Sequence, residues 1–394
     1  MSMKHYFKLM KVVVCYYLLM SGFALNALVL GICLYDRSIF DKVTEKLEAK
    51  LRLSIDPNAE IDKEKQLISQ LENEIELNFG QWQPLLDKYT IQPGLIKVGD
   101  LTYSSLIEAG KNLHDNQVMF IGEGTYREPL VIRKSNITVV GVGRVTLDGA
   151  SAEGKAAIIT KGDNIALTNI ECKNISVPDQ NGACIRSEGK SLKVDHVYFH
   201  DSEQGILSSG NEYLRITNSR FEKLGKNGQA HGIYIDSGDL FIDKSSFIAA
   251  VSEGHEIKSR ARKTIITSSV IASLSSLDSR LLDIPNGGEL IVSNSVLEKG
   301  PQSSNATAIG YGLEGMKYNN NSISLSKNVI ILERDGPNKL LDARTGGNIP
   351  ITVNDNTIIS KDELETYGVN WQFTSRKDAL IEDYPRIPVS LKSR

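Results

Sequence analysis

Apolar residues recur along this chain at a spacing that suits neither an amphipathic helix nor an alternating hairpin strand. Pairs of apolar positions five apart bracket a polar middle: Leu167 and Cys172, Val194 and Phe199, Ile216 and Phe221, Ile242 and Phe247, Ile265 and Val270, Ile291 and Val296, Leu325 and Ile330, Val353 and Ile358. Successive copies begin 22 to 34 residues apart (216 minus 194 at the short end, 325 minus 291 at the long end). A period of that size is one coil of three short strands with its turns. No coil can bury its apolar faces alone. Stacking coils about 4.8 Å apart pairs every backbone group with a neighbour and closes a continuous core. The pattern therefore predicts an all-β solenoid, a parallel β-helix, over residues 95–360. Asn and Asp suit its bends, because they bond local backbone and tolerate the left-handed conformation. Ser104 to Leu113 reads as a short helix capping the first coil. Residues 361–394 leave the repeat and are expected to cap or trail the last coil.

A different pattern precedes the coils. Residues 12–35 contain no charged side chain, enough at 1.5 Å per residue to span roughly 36 Å as a helix. The run is too long for a cleavable signal core, so it reads as a single-pass signal anchor. Lys4, Lys8 and Lys11 precede it, which by the positive-inside rule leaves residues 1–11 as a cytoplasmic tail. The β-helix is then expected in the periplasm, anchored to the inner membrane. Residues 36–94 are rich in Leu, Glu and Lys. Leu67, Leu71, Ile75 and Leu77 lie at near-helical spacing, predicting a helical stalk that packs on the chain's own body or pairs in a homo-oligomer or envelope complex.

The opening Gly122–Tyr126 (Gly-Glu-Gly-Thr-Tyr), Asn136–Gly141, Val145–Gly149 and the Asn-rich repeats resemble the pectate-lyase-like superfamily of right-handed parallel β-helices. The resemblance covers about residues 95–360. It implies a right-handed coil and a groove along one parallel sheet in which a polysaccharide is handled. The fold by itself does not choose the reaction.

The strand before each repeat pair carries the unusual side chains: His231–Asp236, Gly254–Ala261 and Arg280–Gly288. Alternation sorts them. With Ile233, Ile235, Ile257, Leu282 and Ile284 inward, Tyr234, Asp236, Glu256, Lys258, Arg260 and Asp283 point outward. Aligning Ile235, Ile257 and Ile284 stacks Tyr234, Glu256 and Asp283, with Asp236 beside Lys258. His231 and His255 sit at the strand entries, and Tyr311, Glu314, Asp342 and Arg344 continue the series. Such residues suit β-elimination or C5-epimerisation of a uronate. A cation, or a calcium ion, neutralises the sugar carboxylate; Lys258 takes the C5 proton; Arg260 or a histidine acts as neutraliser or acid. Tyr234, Glu256, Tyr311, Glu314 and Arg344 are the expected sugar contacts. Glu256–Arg260 looks loosely like the Lys-bearing strand of alginate and chondroitin-B lyases, whereas the Arg-His-Gly element of that family is replaced here by Asp283–Gly288. Two other uses of the face remain open. One is glycoside hydrolysis by two of Asp236, Glu256 and Asp283; the other is a non-catalytic glycan-binding or scaffolding subunit of an envelope polysaccharide assembly.

Composition adds limits. A net charge of −3 over 394 residues gives no basic stripe for nucleic acid, so an acidic polysaccharide and the membrane are the expected partners. The four cysteines form no C-x-x-C pair, which argues against a zinc ribbon or redox dithiol. Cys172 falls on a core position and reads as a buried apolar thiol.

Overall fold

The computed structural model describes residues 57–85, 89–344, 348–364 and 368–381. The chain divides into two compact units, residues 1–69 and 70–394. Of the first, the residues from Pro57 onward are described and are helical; the expected anchor and cytoplasmic tail lie outside the described residues. Among the described residues no helix is long and apolar enough to cross a membrane.

In the second unit the polar middle of each repeat pair is a bend. One residue per coil adopts the left-handed region there: Asn169, His196, Asn218, Lys244, Ser268, Asn294, Lys327 and Asp355, with φ between 48° and 58°. Asn and Asp take this conformation readily, whereas His, Lys and Ser are held in it by the coils on either side. The following position builds a buried polar ladder. The side-chain oxygens of Ser219, Ser245, Ser269, Ser295, Asn328 and Asn356 each accept the backbone N–H of the equivalent residue one coil earlier, at 2.9 to 3.2 Å. Turning the chain inside the protein thus leaves these amides satisfied.

The bends sort the strands into three sheets. Among the described residues sheet I has twelve strands, from Leu101–Tyr103 to Ile351–Asn354; sheet II has eleven, from Gly124–Tyr126 to Trp371–Phe373; sheet III has nine, from Leu130–Ile132 to Lys339–Ala343. Each coil gives one strand to each sheet in turn, making a right-handed parallel β-solenoid of about nine turns. The strand Ile96–Val98 pairs antiparallel, with Leu101–Tyr103 on one side and Val118–Ile121 on the other. The expected capping helix is Leu106–Lys111, started by Ser105 and burying Leu106 and Ala109.

Stacked side chains fill the lumen: Phe199, Phe221 and Phe247 lie in register, followed by Ile271, Leu297, Ile330 and Ile358. Two repeat pairs are therefore shifted by one residue from their expected positions. Ile266 with Ile271, and Val292 with Leu297, face the core in place of Ile265 with Val270 and Ile291 with Val296. The slip is hidden in the sequence because these coils are apolar on both faces. Val270 and Val296 point outward, under Leu71 and Ile75 of the helix Pro57–Phe79. That helix packs on the chain's own body through these residues, while Leu77 remains 85% exposed.

Cys172 is not a free thiol. It forms a disulfide with Cys184, with the Cα atoms 5.8 Å apart and both side chains fully buried. The bond crosses the lumen from sheet II to sheet III. A separation of 12 positions and no recognisable spacing concealed the pairing.

Candidate functional site on sheet III

Hydrogen-bond register decides which side chains share the outer face of sheet III. Ile233 pairs with Ile257 and Ile257 with Leu282, so Tyr234, Lys258 and Asp283 form one column. The alignment expected from Ile235, Ile257 and Ile284 is displaced by two residues at the middle strand, which removes Glu256 from the column. Gly232 explains the close approach at the strand entry. A Cβ there would lie 2.2 Å from the Glu256 carbonyl oxygen, so only glycine lets these coils stack.

The column carries an ion network. Lys258 Nζ stands 3.4 Å from Asp283 and 3.8 Å from Glu314, and Arg260 lies 2.7 Å from Glu314. Arg280, which the sequence reading did not include, completes Asp283 at 3.3 Å. Arg260 also donates through Nε to the Tyr234 hydroxyl oxygen at 2.9 Å and through Nη1 to Asn286 Oδ1 at 2.8 Å, with its guanidinium over the Tyr234 ring. Tyr318 donates its hydroxyl to the Arg260 carbonyl at 2.6 Å. Three cations face two carboxylates, so the patch keeps a net positive charge beside an aromatic ring.

The two histidines lie at the rim and are committed to the backbone. His231 Nδ1 accepts the His255 N–H at 3.1 Å, and His255 Nδ1 accepts the Arg280 N–H at 3.0 Å, one coil further on. Their rings stack 4.7 Å apart. Burial pulls His231 down to about 3, and burial with the cationic surroundings holds His255 well below its ordinary range. Both are neutral near pH 7, and His255 turns Nε2 to Asp283 at 3.5 Å.

Four expected members do not join the network. Glu256 is fully buried, accepts the Ala250 N–H at 2.6 Å, and is pushed well up by burial. Tyr311 is a core residue bonded to the Gly288 carbonyl, because its strand partner Ile284 points inward. Asp236 accepts the Gly210 N–H at 3.0 Å and caps a turn. Arg344 follows the last strand of the sheet and is exposed, and among the described residues no ion pair joins it to the network. With Glu256 buried and Asp236 held on its turn, neither joins Asp283 on the outer column. Among the described residues no three His, Cys, Asp or Glu side chains converge on a metal position.

Sheet II holds a second charged cluster that the repeats did not announce. His200 lies between Asp201 at 2.6 Å and Glu171 at 3.2 Å; Arg144 meets Glu171 at 2.9 Å, Arg220 meets Glu222 at 2.6 Å, and Lys223 meets Asp201 at 3.0 Å. Its cations grip the segment after the helix. Arg220 donates to the Gly80 carbonyl and Arg144 to the Trp82 carbonyl, while His196 bonds the Gln83 carbonyl. Trp82 stacks on Tyr198, and Tyr198 on His200. Residues 70–85 are thereby strapped down the outside of sheet II. The cavity of about 610 Å³ beside the strap is lined by the same charged residues.

No family model matches the chain, and no curated protein does either. Solved structures are similar to it. A pectin methylesterase in complex with a hexasaccharide is 12% identical, covering 72% of this chain and 94% of its own, with a TM-score of 0.33. The A-module of the mannuronan C-5 epimerase AlgE4 of Azotobacter vinelandii is 10% identical, covering 68% and 92%, with a TM-score of 0.34.

Proposed function

We propose that this chain is an extracytoplasmic, N-terminally anchored β-solenoid protein that recognises an acidic polysaccharide on the outer face of sheet III. The carrying observation is the network of Lys258, Arg260 and Arg280 around Asp283 and Glu314, beside the Tyr234 ring. Guanidinium and ammonium groups are fitted to carboxylates, and an aromatic face is fitted to a sugar ring. Recognition is favoured over elimination by Lys258 because that ammonium is shared by two carboxylates, and both histidines spend Nδ1 on the backbone. The reading outside the cytoplasm is supported by the apolar residues 12–35 and by the Cys172–Cys184 disulfide, since such bonds persist in oxidising compartments.

One observation favours chemistry as a second reading, β-elimination or C5-epimerisation. Arg260 donates through Nε to the Tyr234 oxygen, which fixes the ring and leaves the phenolic O–H to be directed at a bound sugar. Tyr234 is then the proton-transfer residue, in place of Lys258.

The test is calorimetric titration with oligogalacturonate and oligomannuronate, alongside a spectroscopic assay for unsaturated uronate product and NMR of C5 configuration. Arg260→Ala and Lys258→Ala should weaken binding at least about tenfold, the loss of one charge-assisted contact, with the circular dichroism spectrum unchanged. If neither polymer binds the intact protein, or both variants bind as it does, the proposal fails. Turnover that disappears in Tyr234→Phe while binding survives would establish the second reading.

A further inference from the structure

Glu314 differs from the other members of the sheet III network. Its side chain is 48% exposed, whereas those of Lys258, Arg260 and Asp283 are 15%, 18% and 4% exposed. It stands on the loop between Thr307–Tyr311 and Ser322–Ser326, within the longest step of the repeat. The backbone of that loop is pinned: Gly312 N–H bonds the Ile284 carbonyl, Glu314 N–H the Pro285 carbonyl and Lys317 N–H the Asn286 carbonyl, each at 2.9 Å. The pinned backbone leaves the Glu314 carboxylate as the mobile part, free to leave by side-chain rotation alone. Its departure would not strand the cations. Asp283 stays on Lys258 and Arg280, and Arg260 keeps Tyr234 Oη and Asn286 Oδ1.

We infer that the Glu314 carboxylate sits in the seat of the ligand's own carboxylate, and that a uronate enters by exchange with it. The inference rests on the acidic-polysaccharide reading and names its specificity device. The position between Arg260 and Lys258 is held by a carboxylate of the chain until a sugar carboxylate replaces it. Neutral sugars gain nothing from that exchange, because they bring no charge to take the place of the Glu314 carboxylate beside Arg260 and Lys258. Holding the seat with an exposed group also costs little, since an exposed ion pair is worth only a fraction of a decade in affinity to about fivefold.

Removing the competitor should therefore tighten binding. For Glu314→Gln, titration with oligogalacturonate or oligomannuronate is expected to give a Kd roughly twofold to fivefold lower than the unmodified chain. The affinity for a neutral maltooligosaccharide of equal length should stay unchanged. Unchanged or weaker uronate binding by Glu314→Gln overturns the inference, as does equal tightening toward the neutral sugar. The two failures are separable. If the unmodified chain binds uronates and Arg260→Ala does not, yet Glu314→Gln has no effect, the exchange fails and the binding site stands. If neither the unmodified chain nor Glu314→Gln binds any uronate, both fail together.

Discussion

Glu298 shows how far a single side chain can depart from its solution behaviour here. It is fully buried, its Oε2 accepts the Leu274 N–H at 2.9 Å, and burial pushes its carboxyl up to about 8. Near neutral pH it is therefore mostly protonated in the folded chain and ionised in the unfolded one. A group raised in the folded state contributes stability below its unfolded pKa, and that contribution is lost as pH rises through the folded value. The loss for Glu298 runs from about 4.5 to about 8. Replacing it with Gln keeps the acceptor and removes the titration. Thermal melts of Glu298→Gln should match the unmodified chain at pH 4 and rise above it at pH 8, on the order of a few kcal/mol. Equal melting at both pH values would show that Glu298 ionises normally in the fold.

At the scale of elements, the strap stands outside the repeat. Its helix presents Leu71 and Ile75 to the outward Val270 and Val296. The following residues are held by Arg220 and Arg144 through their backbone carbonyls. Arg220 matters most because its partner Glu222 is buried beside it. Arg220→Ala leaves Glu222 with only the Tyr198 hydroxyl at 3.1 Å and Lys223 at 4.0 Å, so the cost should approach the about 3–5 kcal/mol of a broken buried pair. Limited proteolysis should then cut within residues 80–85 under conditions where the unmodified strap resists. Protection should also depend on pH. Glu171 is subject to burial, yet the bonds from His200 and Arg144 hold it down to about 2, so its contribution is lost as pH falls through that value. His200 is also buried, yet Asp201 and Glu171 raise it, so its contribution is complete below about 6.5 and lost as pH rises through the raised value. The strap is accordingly held best between about pH 4.5 and 6.5. Cutting that proceeds equally at pH 5.5 and pH 8, corrected for protease activity, would remove His200 from this role.

For the whole molecule, the disulfide is the feature that connects fold to compartment. Cys172 and Cys184 are wholly enclosed by the coils, so the bond has to form before or while the solenoid closes. Chain taken from cells under thiol-trapping conditions, unfolded and mapped by peptide should show Cys172 and Cys184 blocked to maleimide until reductant is added, whatever the state of Cys15 and Cys33. Labelling of Cys172 or Cys184 without reductant would remove both the bond and the main structural support for an extracytoplasmic site. Cys172→Ser should lower stability by about 2–4 kcal/mol, the typical worth of such a cross-link.

Periodicity by itself determined the architecture. Apolar pairs five apart, recurring once per coil, bury their surface only by stacking, and this made the solenoid legible over residues 95–360. It also brought Tyr234, Lys258, Arg260 and Asp283 to one outer face, because alternation along a strand follows from backbone geometry alone. What alternation does not contain is register between coils. The offset of each strand is set by the turns joining it to its neighbours, and those differ in length from coil to coil. Hence Glu256 was placed outside, Tyr311 was offered to a sugar, and Ile265 and Ile291 were assigned to the core. The disulfide and the strap were equally invisible, since each joins positions whose proximity exists only after the coils have stacked. Sequence thus decided what each strand is and which way its side chains alternate; tertiary structure decided which of them meet, because meeting depends on the summed path of the turns between them.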